Sequence, residues 1–287
     1  MATTSAVSDL HGVDLPARYE IRRLEENHGD WVNALTRHAA FYGSELWAPL
    51  YVGMARRLAI QAYKINKGQV DMMLAKGLSY GIFDKEYQFK RPESSETGGA
   101  VYWNDLDEWD STKETDGRRE LADAMDFPLV SVMISVDNAD QPPKVVPGTS
   151  PVGIPHGHFY FAACEQAAAD QGVPLDGNND KMLEPGVVLG RRGTATLDGH
   201  NGKGLMKALS HFIIHQARAD GFREIEMHAQ SHAVFHVWTN PPSPYHVKVK
   251  FKTPLDEFET EIDGKKIKPF EKSSGAIGCL LSVYLSE

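Results

Sequence analysis

The sequence predicts a mixed α/β fold in which strands and helices alternate along 287 residues. Short apolar, β-branched runs such as 129–136 are typical of buried strands, whereas the apolar residues of 204–220 recur at helical spacing. That helix joins two strand-like segments through a short turn at Gly221, and adjacent parallel strands need such a crossover. We therefore expect one α/β (α+β) domain with a mostly antiparallel central sheet flanked by helices, and one parallel pair formed by 187–196 and 224–229.

Composition narrows the class of protein. Hydrophobic residues make up 41% and charged residues 24%, as is typical of a globular protein, and the formal net charge of −9 disfavours nucleic acid as a partner. The two cysteines, Cys164 and Cys279, form no CxxC pattern. Because the sequence shows neither an apolar leader nor a run long enough to span a bilayer, we expect a cytoplasmic protein without a membrane partner.

The N-terminal half is predicted from its helix stops and strand patterns. Asp30 is a typical N-cap, and Gly43, Gly68 and Gly77 are expected to interrupt or end helices. The predicted elements are a loose arm at 1–17, a strand at 19–24, helices at 31–42, 45–67 and 70–75, and a strand at 78–83.

An acid-rich segment follows. Residues 105–126 carry nine carboxylates against three basic side chains and are predicted to form an exposed loop with a short helix at 118–125. Three large aromatic residues, Tyr102, Trp103 and Trp109, suggest the alternative of a lid over a pocket for a small or aromatic amine.

The C-terminal half alternates more regularly. A Pro- and Gly-rich connector at 137–157 separates the strand at 129–136 from the helix at 159–171. The elements predicted after it are strands at 187–197 and 224–229 on either side of the 204–220 helix, a short helix at 233–238, a strand at 246–251, a hairpin around Asp263 and Gly264, and a last strand at 276–285.

The segment with the clearest chemistry is a glycine-rich loop that opens the 204–220 helix. Glycines let the backbone approach a ligand, and the first amides of a helix have no acceptor within it, so such a loop favours an anion such as pyrophosphate. Two common phosphate motifs do not fit. A Walker A loop would need glycine at Leu197 and Ser or Thr at Gly204, and a GxGxxG fingerprint beginning at Gly202 would need glycine at Lys207.

The same segment resembles motif A of the GNAT acyltransferase superfamily, in which a strand leads into (Gln/Arg)-x-x-Gly-x-(Gly/Ala), a long helix, a glycine and a second strand. Gly202 and Gly204 match the small positions and Gly221 precedes the second strand, whereas Gly199 stands where Gln or Arg is usual. The resemblance covers about 187–238 well. It implies one GNAT-like domain over 1–287, with a splayed parallel strand pair and an insertion at about 137–186.

By this resemblance, acetyl-CoA is the co-substrate. Its pantetheine arm would lie along the strand that carries Leu189, Arg191 and Arg192, and its pyrophosphate on the loop amides. The loop residues implied are Gly199, His200, Asn201, Gly202, Lys203 and Gly204. Lys203 or Arg192 could add positive charge near the phosphates.

The resemblance also implies direct attack of a small-molecule amine on the thioester, assisted by a general base. Alternation places Ile225 and Met227 on one face of the 224–229 strand, so Glu226 and His228 project from the other and are the candidate bases. The short helix lacks the tyrosine that often serves as acid in the family. His236 and Tyr245 are candidates for that role.

Two alternatives stay open at this stage. One is a GNAT-like protein that binds acyl-CoA without turnover. The other is a histidine-ligated metal enzyme, suggested by the His156-Gly-His158 pair and by histidines at every fourth position, 228, 232 and 236; we favour no metal, because no HExxH motif or cysteine ligand accompanies them. A homodimer is a further expectation.

Overall fold

In the computed structural model, residues 6–107, 109–140, 154–174 and 184–285 are described. The strands are β1 (Tyr19–Arg23), β2 (Tyr80–Asp84), β3 (Ala100–Val101), β4 (Met125–Asp126), β5 (Leu129–Asp137), β6 (Val188–Thr196), β7 (Glu224–Ala229), β8 (His246–Pro254), β9 (Thr260–Ile262), β10 (Lys265–Ile267) and β11 (Ile277–Tyr284). The α-helices are α1 (Gly29–Tyr42), α2 (Ala55–Leu74), α3 (Pro92–Thr97), α4 (Gly117–Asp123), α5 (Gly157–Asp170), α6 (Leu205–Ala219) and α7 (His232–Trp238).

A seven-stranded sheet in the order β1-β2-β5-β6-β7-β11-β8 organises the fold. The pairs β1–β2, β2–β5, β7–β11 and β11–β8 are antiparallel, and β6–β7 is parallel. The α6 crossover accounts for the parallel pair, since it returns the chain to the same end of the sheet. The predicted fold class and the predicted parallel pair are therefore confirmed.

The chain forms two compact units. The first contains the residues up to Gly43, Gly53–Val136 and Arg192–Gln216; the second contains Ser44–Val52, Asp137–Arg191 and Ala217–Glu287. The single-domain boundaries 1–287 and the insertion at 137–186 stay predictions, and residues 141–153 and 175–183 of that insertion lie outside the described residues.

The core of the first unit is built from buried strands and two long helices. Every residue from Leu129 to Val136 in β5 is buried, as the apolar run predicts. Three predictions for the helices are wrong. Asp30 lies inside α1, whose N-cap is His28. Helix α2 begins at Ala55 and not at about 45, and it runs unbroken through Gly68 to Leu74. A glycine inside a helix costs only about 1 kcal/mol, and the packed face of α2, which includes Ile60 and Tyr63, offsets that cost.

The acid-rich segment is more structured than the sequence predicts. Trp103 is fully buried and its indole N–H donates to the carbonyl of Leu121 at 2.9 Å, so it is a core residue and not part of a lid. Asp126 is also fully buried, and its Oδ1 accepts from the Tyr87 hydroxyl at 2.9 Å. Of the other two aromatic residues, Trp109 is 65% exposed and Tyr102 is half-buried.

The core of the second unit includes one face of β7 and both faces of β11. Ile225, Met227 and Ala229 are buried, and the residues between them are half-buried, which confirms the predicted alternation. On β11, a Cβ at Gly278 would lie 3.2 Å from the sulfur of Cys164, so glycine allows α5 to pack directly on this strand. No helix within the described ranges is long and apolar enough to cross a membrane.

Candidate functional site

The glycine loop lies in the first unit, between the end of β6 at Thr196 and the start of α6 at Leu205. Gly199, Gly202 and Gly204 have φ values of +82°, +75° and +76°, in the left-handed region that favours glycine. Open space surrounds each of them, since no heavy atom of the described structure lies within 4 Å of a Cβ built there. The loop therefore presents bare backbone.

Helix α6 supplies the donors. The first bond of the helix runs from the Ala208 amide to the Gly204 carbonyl at 2.9 Å, so the amides of Leu205, Met206 and Lys207 come before the first donor and have no acceptor within the helix. These amides and the positive end of the helix dipole make this terminus suited to an anion.

The side chains of the loop have separate roles. His200 turns inward, with Nδ1 3.1 Å from the Tyr19 hydroxyl, and burial together with the nearby Lys203 charge lowers its pKa. Lys203 is exposed, with its Nζ 3.5 Å from the same hydroxyl, and Asn201 is exposed. Lys203 is thus the cation of this loop, whereas His200 is held neutral.

Strand β6 carries the other predicted acyl-CoA residues. Leu189 is buried in the core and Arg192 is exposed. The Arg191 guanidinium does not extend to solvent: its Nη2 donates to the carbonyl of His228 at 2.9 Å. Contact of these residues with acyl-CoA stays a prediction.

In the second unit, the polar face of β7 divides into two parts. Glu226 is tied into a charge network, with Oε2 2.6 Å from the Lys250 ammonium and Oε1 3.3 Å from the amide of Asn138. Lys250 also lies 3.3 Å from Glu224. Burial alone would lower the pKa of Lys250, but its hydrogen bond to Glu226 and both carboxylate charges raise that pKa overall.

The second part is His228, which lies among aromatic rings. Its Nδ1 is 3.4 Å from the Tyr160 hydroxyl, and the rings of Tyr160, Phe161 and Phe251 lie with their centroids 6.0, 6.4 and 6.4 Å from the imidazole. Phe161 is 39% exposed, so one side of this cluster borders solvent. An imidazole in such a position is chemically suited to proton transfer near neutral pH.

Tyr160 connects His228 to a buried network that the sequence does not predict. The Trp47 indole N–H donates to Gln230 Oε1 at 3.1 Å, and the side chains of Gln230 and Cys164 lie near the Tyr160 hydroxyl. Burial raises the pKa of Tyr160 well above 10 and that of Cys164 to about 12, so both groups keep their protons at neutral pH. In the sequence Tyr160 is one aromatic residue of an apolar helix and has no distinguishing signal.

The remaining histidine candidates lie elsewhere. His156 shares two 3.0 Å contacts with the Tyr51 hydroxyl, and His232 donates to the Gly275 carbonyl at 3.0 Å. His236, a candidate acid, is exposed on α7, and Tyr245, the other candidate, is half-buried. Among the described residues, no group of three or more His, Cys, Asp or Glu side chains is arranged to hold a metal ion.

The chain resembles solved structures more clearly than it resembles known sequences. No protein-family model and no curated protein matches the chain. The chain is similar to the C-terminal condensation domain of Ebony, solved in complex with beta-alanyl-dopamine, with a TM-score of 0.55 and 17% identity over 91% of this chain and 97% of that one. It is also similar to the protein named arylalkylamine N-acetyltransferase 7 of the yellow fever mosquito, with a TM-score of 0.51 and 12% identity over 99% of this chain and 94% of that one.

These likenesses, together with the sheet order and the α6 crossover, define the class of fold: the chain has the fold of the GNAT acyltransferases. The resemblance inferred from the glycine loop is therefore confirmed at the level of fold.

Proposed function

We propose that this chain is an acyl-CoA-dependent N-acyltransferase that uses acetyl-CoA and transfers the acetyl group to a small-molecule amine. The observation that carries the proposal is the glycine loop, which opens α6 with three left-handed glycines and three amides that have no acceptor within the helix. On a GNAT fold, this is the position at which the resemblance puts pyrophosphate.

The loop residues fit a phosphate ligand. Open space at Gly199, Gly202 and Gly204 allows phosphate oxygens to approach the backbone, and Lys203 provides an exposed positive charge. In this proposal, the loop contributes donors and Lys203 contributes charge, while the β6 backbone near Leu189 and Arg192 lies along the pantetheine arm.

His228 is the proposed general base. The amine nitrogen attacks the thioester carbonyl, a C–N bond forms, the C–S bond breaks, and the imidazole takes the proton that the nitrogen loses. Glu226 is the weaker candidate, because its carboxylate is engaged by the Lys250 ammonium at 2.6 Å and would have to give up that partner to accept a proton. His236 and Tyr245 are the two candidates for the general acid that protonates the departing thiolate.

The proposed acceptor is an aromatic amine. Two observations support it: the exposed ring of Phe161 beside His228, and the names of the two structural relatives, one of which is called an arylalkylamine N-acetyltransferase and the other of which was solved with an acylated dopamine. The formal net charge of −9 is compatible with a cationic amine.

Two measurements test the proposal. Titration calorimetry with acetyl-CoA, and with NAD and ATP as controls, should show binding of acetyl-CoA alone. A free-thiol assay over a panel of aromatic and aliphatic amines should then show turnover. Binding without turnover would favour the non-enzymatic alternative, and absence of binding would refute the proposed function.

A further inference from the structure

The parallel ladder between β6 and β7 ends early. It pairs Val188–Arg191 with Glu224–Met227, although β6 continues to Thr196 and β7 to Ala229. The Glu224 amide donates to the Val187 carbonyl on the β6 side, so by strand alternation Glu224, Glu226 and His228 direct their backbone groups toward β6. The carbonyl of His228 is thus the acceptor that the next rung of the ladder would use.

That carbonyl has a different donor. Arg191 Nη2 donates to it at 2.9 Å, and the same nitrogen lies 3.7 Å from the Met227 sulfur. A side chain from the last paired residue of β6 therefore occupies the place of a backbone amide. A buried carbonyl must be paired, and a charged donor gives a stronger bond than an amide does.

Burial of the charged Arg191 side chain costs free energy of desolvation. Its Nε is buried and has no hydrogen-bond partner among the described residues, and burial lowers the pKa of the guanidinium to about 10. An apolar residue would avoid that desolvation. The bond to the His228 carbonyl accounts for a charged side chain at this buried position.

We propose that Arg191 is a positioning residue that ends the β6–β7 ladder by taking the His228 carbonyl, and that it thereby fixes the backbone from which the His228 side chain projects. The structural part of this proposal is independent of the proposed function, whereas the expected effect of Arg191 on turnover rests on that function. In this role Arg191 acts through His228, which is an alternative to the contact with acyl-CoA that the family resemblance implies for Arg191.

The test compares Arg191→Met, which keeps the length of the side chain and removes every donor, with Arg191→Lys, which keeps one charged donor. Arg223→Met is the matched control, because Arg223 is an exposed arginine that lies next to β7. The readout is the backbone carbonyl ¹³C resonance of His228, together with the coupling across the hydrogen bond from the Arg191 Nη2 in the unmodified protein.

We expect that coupling to be observed, and the His228 carbonyl resonance to shift in Arg191→Met, to return toward its original position in Arg191→Lys, and to stay unchanged in Arg223→Met. If Arg191→Met does not fold, the coupling and Arg191→Lys decide the matter. An absent coupling, or an unchanged resonance in folded Arg191→Met, would overturn the proposal.

The kinetic readout separates positioning from binding. A misplaced base should lower kcat by ~10²-fold in Arg191→Met, while the Kd for acetyl-CoA changes little. A raised Kd with unchanged kcat would make Arg191 a ligand-binding residue and contradict the positioning role. If the unmodified protein neither binds nor turns over acetyl-CoA, the proposed function fails, but the carbonyl measurements still decide the structural proposal.

Discussion

The glycine loop of the first unit and the polar face of β7 in the second are built in different ways. The loop presents backbone: its glycines have positive φ and open space, and Asn201 and Lys203 extend into solvent. On β7 the important groups are side chains held by other side chains, as Lys250 holds Glu226 and Tyr160 contacts His228. Changes in the loop should therefore act through backbone conformation, and changes on β7 through specific partners.

Within β7 the same comparison separates the two candidate bases. Glu226 and His228 share one face, but Glu226 lies 2.6 Å from the Lys250 ammonium, whereas His228 Nδ1 lies 3.4 Å from the Tyr160 hydroxyl. To accept a proton, the Glu226 carboxylate would have to give up its bond to the Lys250 ammonium. The following predictions test these contrasts.

The largest expected effect is on turnover. His228→Ala should lower kcat by ~10²–10⁴-fold, the usual range for a lost general base, and should leave the Kd for acetyl-CoA nearly unchanged. Steady-state kinetics with the best amine of the panel, beside calorimetry, measures both quantities. A rate within twofold of the unmodified protein would remove His228 from the mechanism.

The next effect is on binding. Gly204→Val should weaken acetyl-CoA binding by ~10²-fold, because a branched Cβ both strains the φ of +76° and fills the space in front of the amides. The matched control is Gly221→Val: Gly221 follows the other end of α6, with a φ of +95° and equally open space, so it carries similar strain. Equal losses of affinity in both variants would show that strain alone is responsible.

A smaller effect is expected from the network behind the base. Tyr160→Phe removes the hydroxyl that lies 3.4 Å from His228 Nδ1 and should lower kcat by ~10-fold, since the imidazole loses one orienting contact. Loss of this hydrogen bond should also reduce the free energy of unfolding by ~0.5–1.5 kcal/mol. Chemical denaturation and kinetics on the same preparation check both. Unchanged kcat despite the loss of stability would limit Tyr160 to a structural role.

The smallest effect on turnover is expected at Glu226. Glu226→Gln should change kcat by less than ~3-fold and lower the free energy of unfolding by ~1–2 kcal/mol, because Lys250 keeps Glu224 as a partner. Glu224→Gln is the matched control, since it removes the other carboxylate of the same network. A drop in kcat near 10²-fold in Glu226→Gln alone would transfer the role of base from His228 to Glu226.

Elements with strong local signals were predictable, and those that depend on partners were not. The burial of β5, the alternation of β7 and the β6–α6–β7 crossover follow from periodicity and glycine placement. The stop predicted at Gly68 is wrong because tertiary packing of α2 outweighs a glycine penalty of about 1 kcal/mol. The lid predicted at Trp103 is wrong for a similar reason: a local run of carboxylates does not reveal that the indole N–H donates to a buried acceptor, the Leu121 carbonyl.

The candidate site shows the same contrast between features set by local sequence and features set by tertiary contacts. The glycine loop can be predicted from the sequence because positive φ at a helix start depends on the residues of the loop itself. The sequence also limited the candidate bases to Glu226 and His228, since strand alternation is a local property. Only the tertiary structure decided that Lys250 engages Glu226, that Tyr160 lies beside His228, and that Arg191 takes the His228 carbonyl. Each of these contacts joins residues from different elements of the second unit, and no local pattern encodes which side chains packing will bring together.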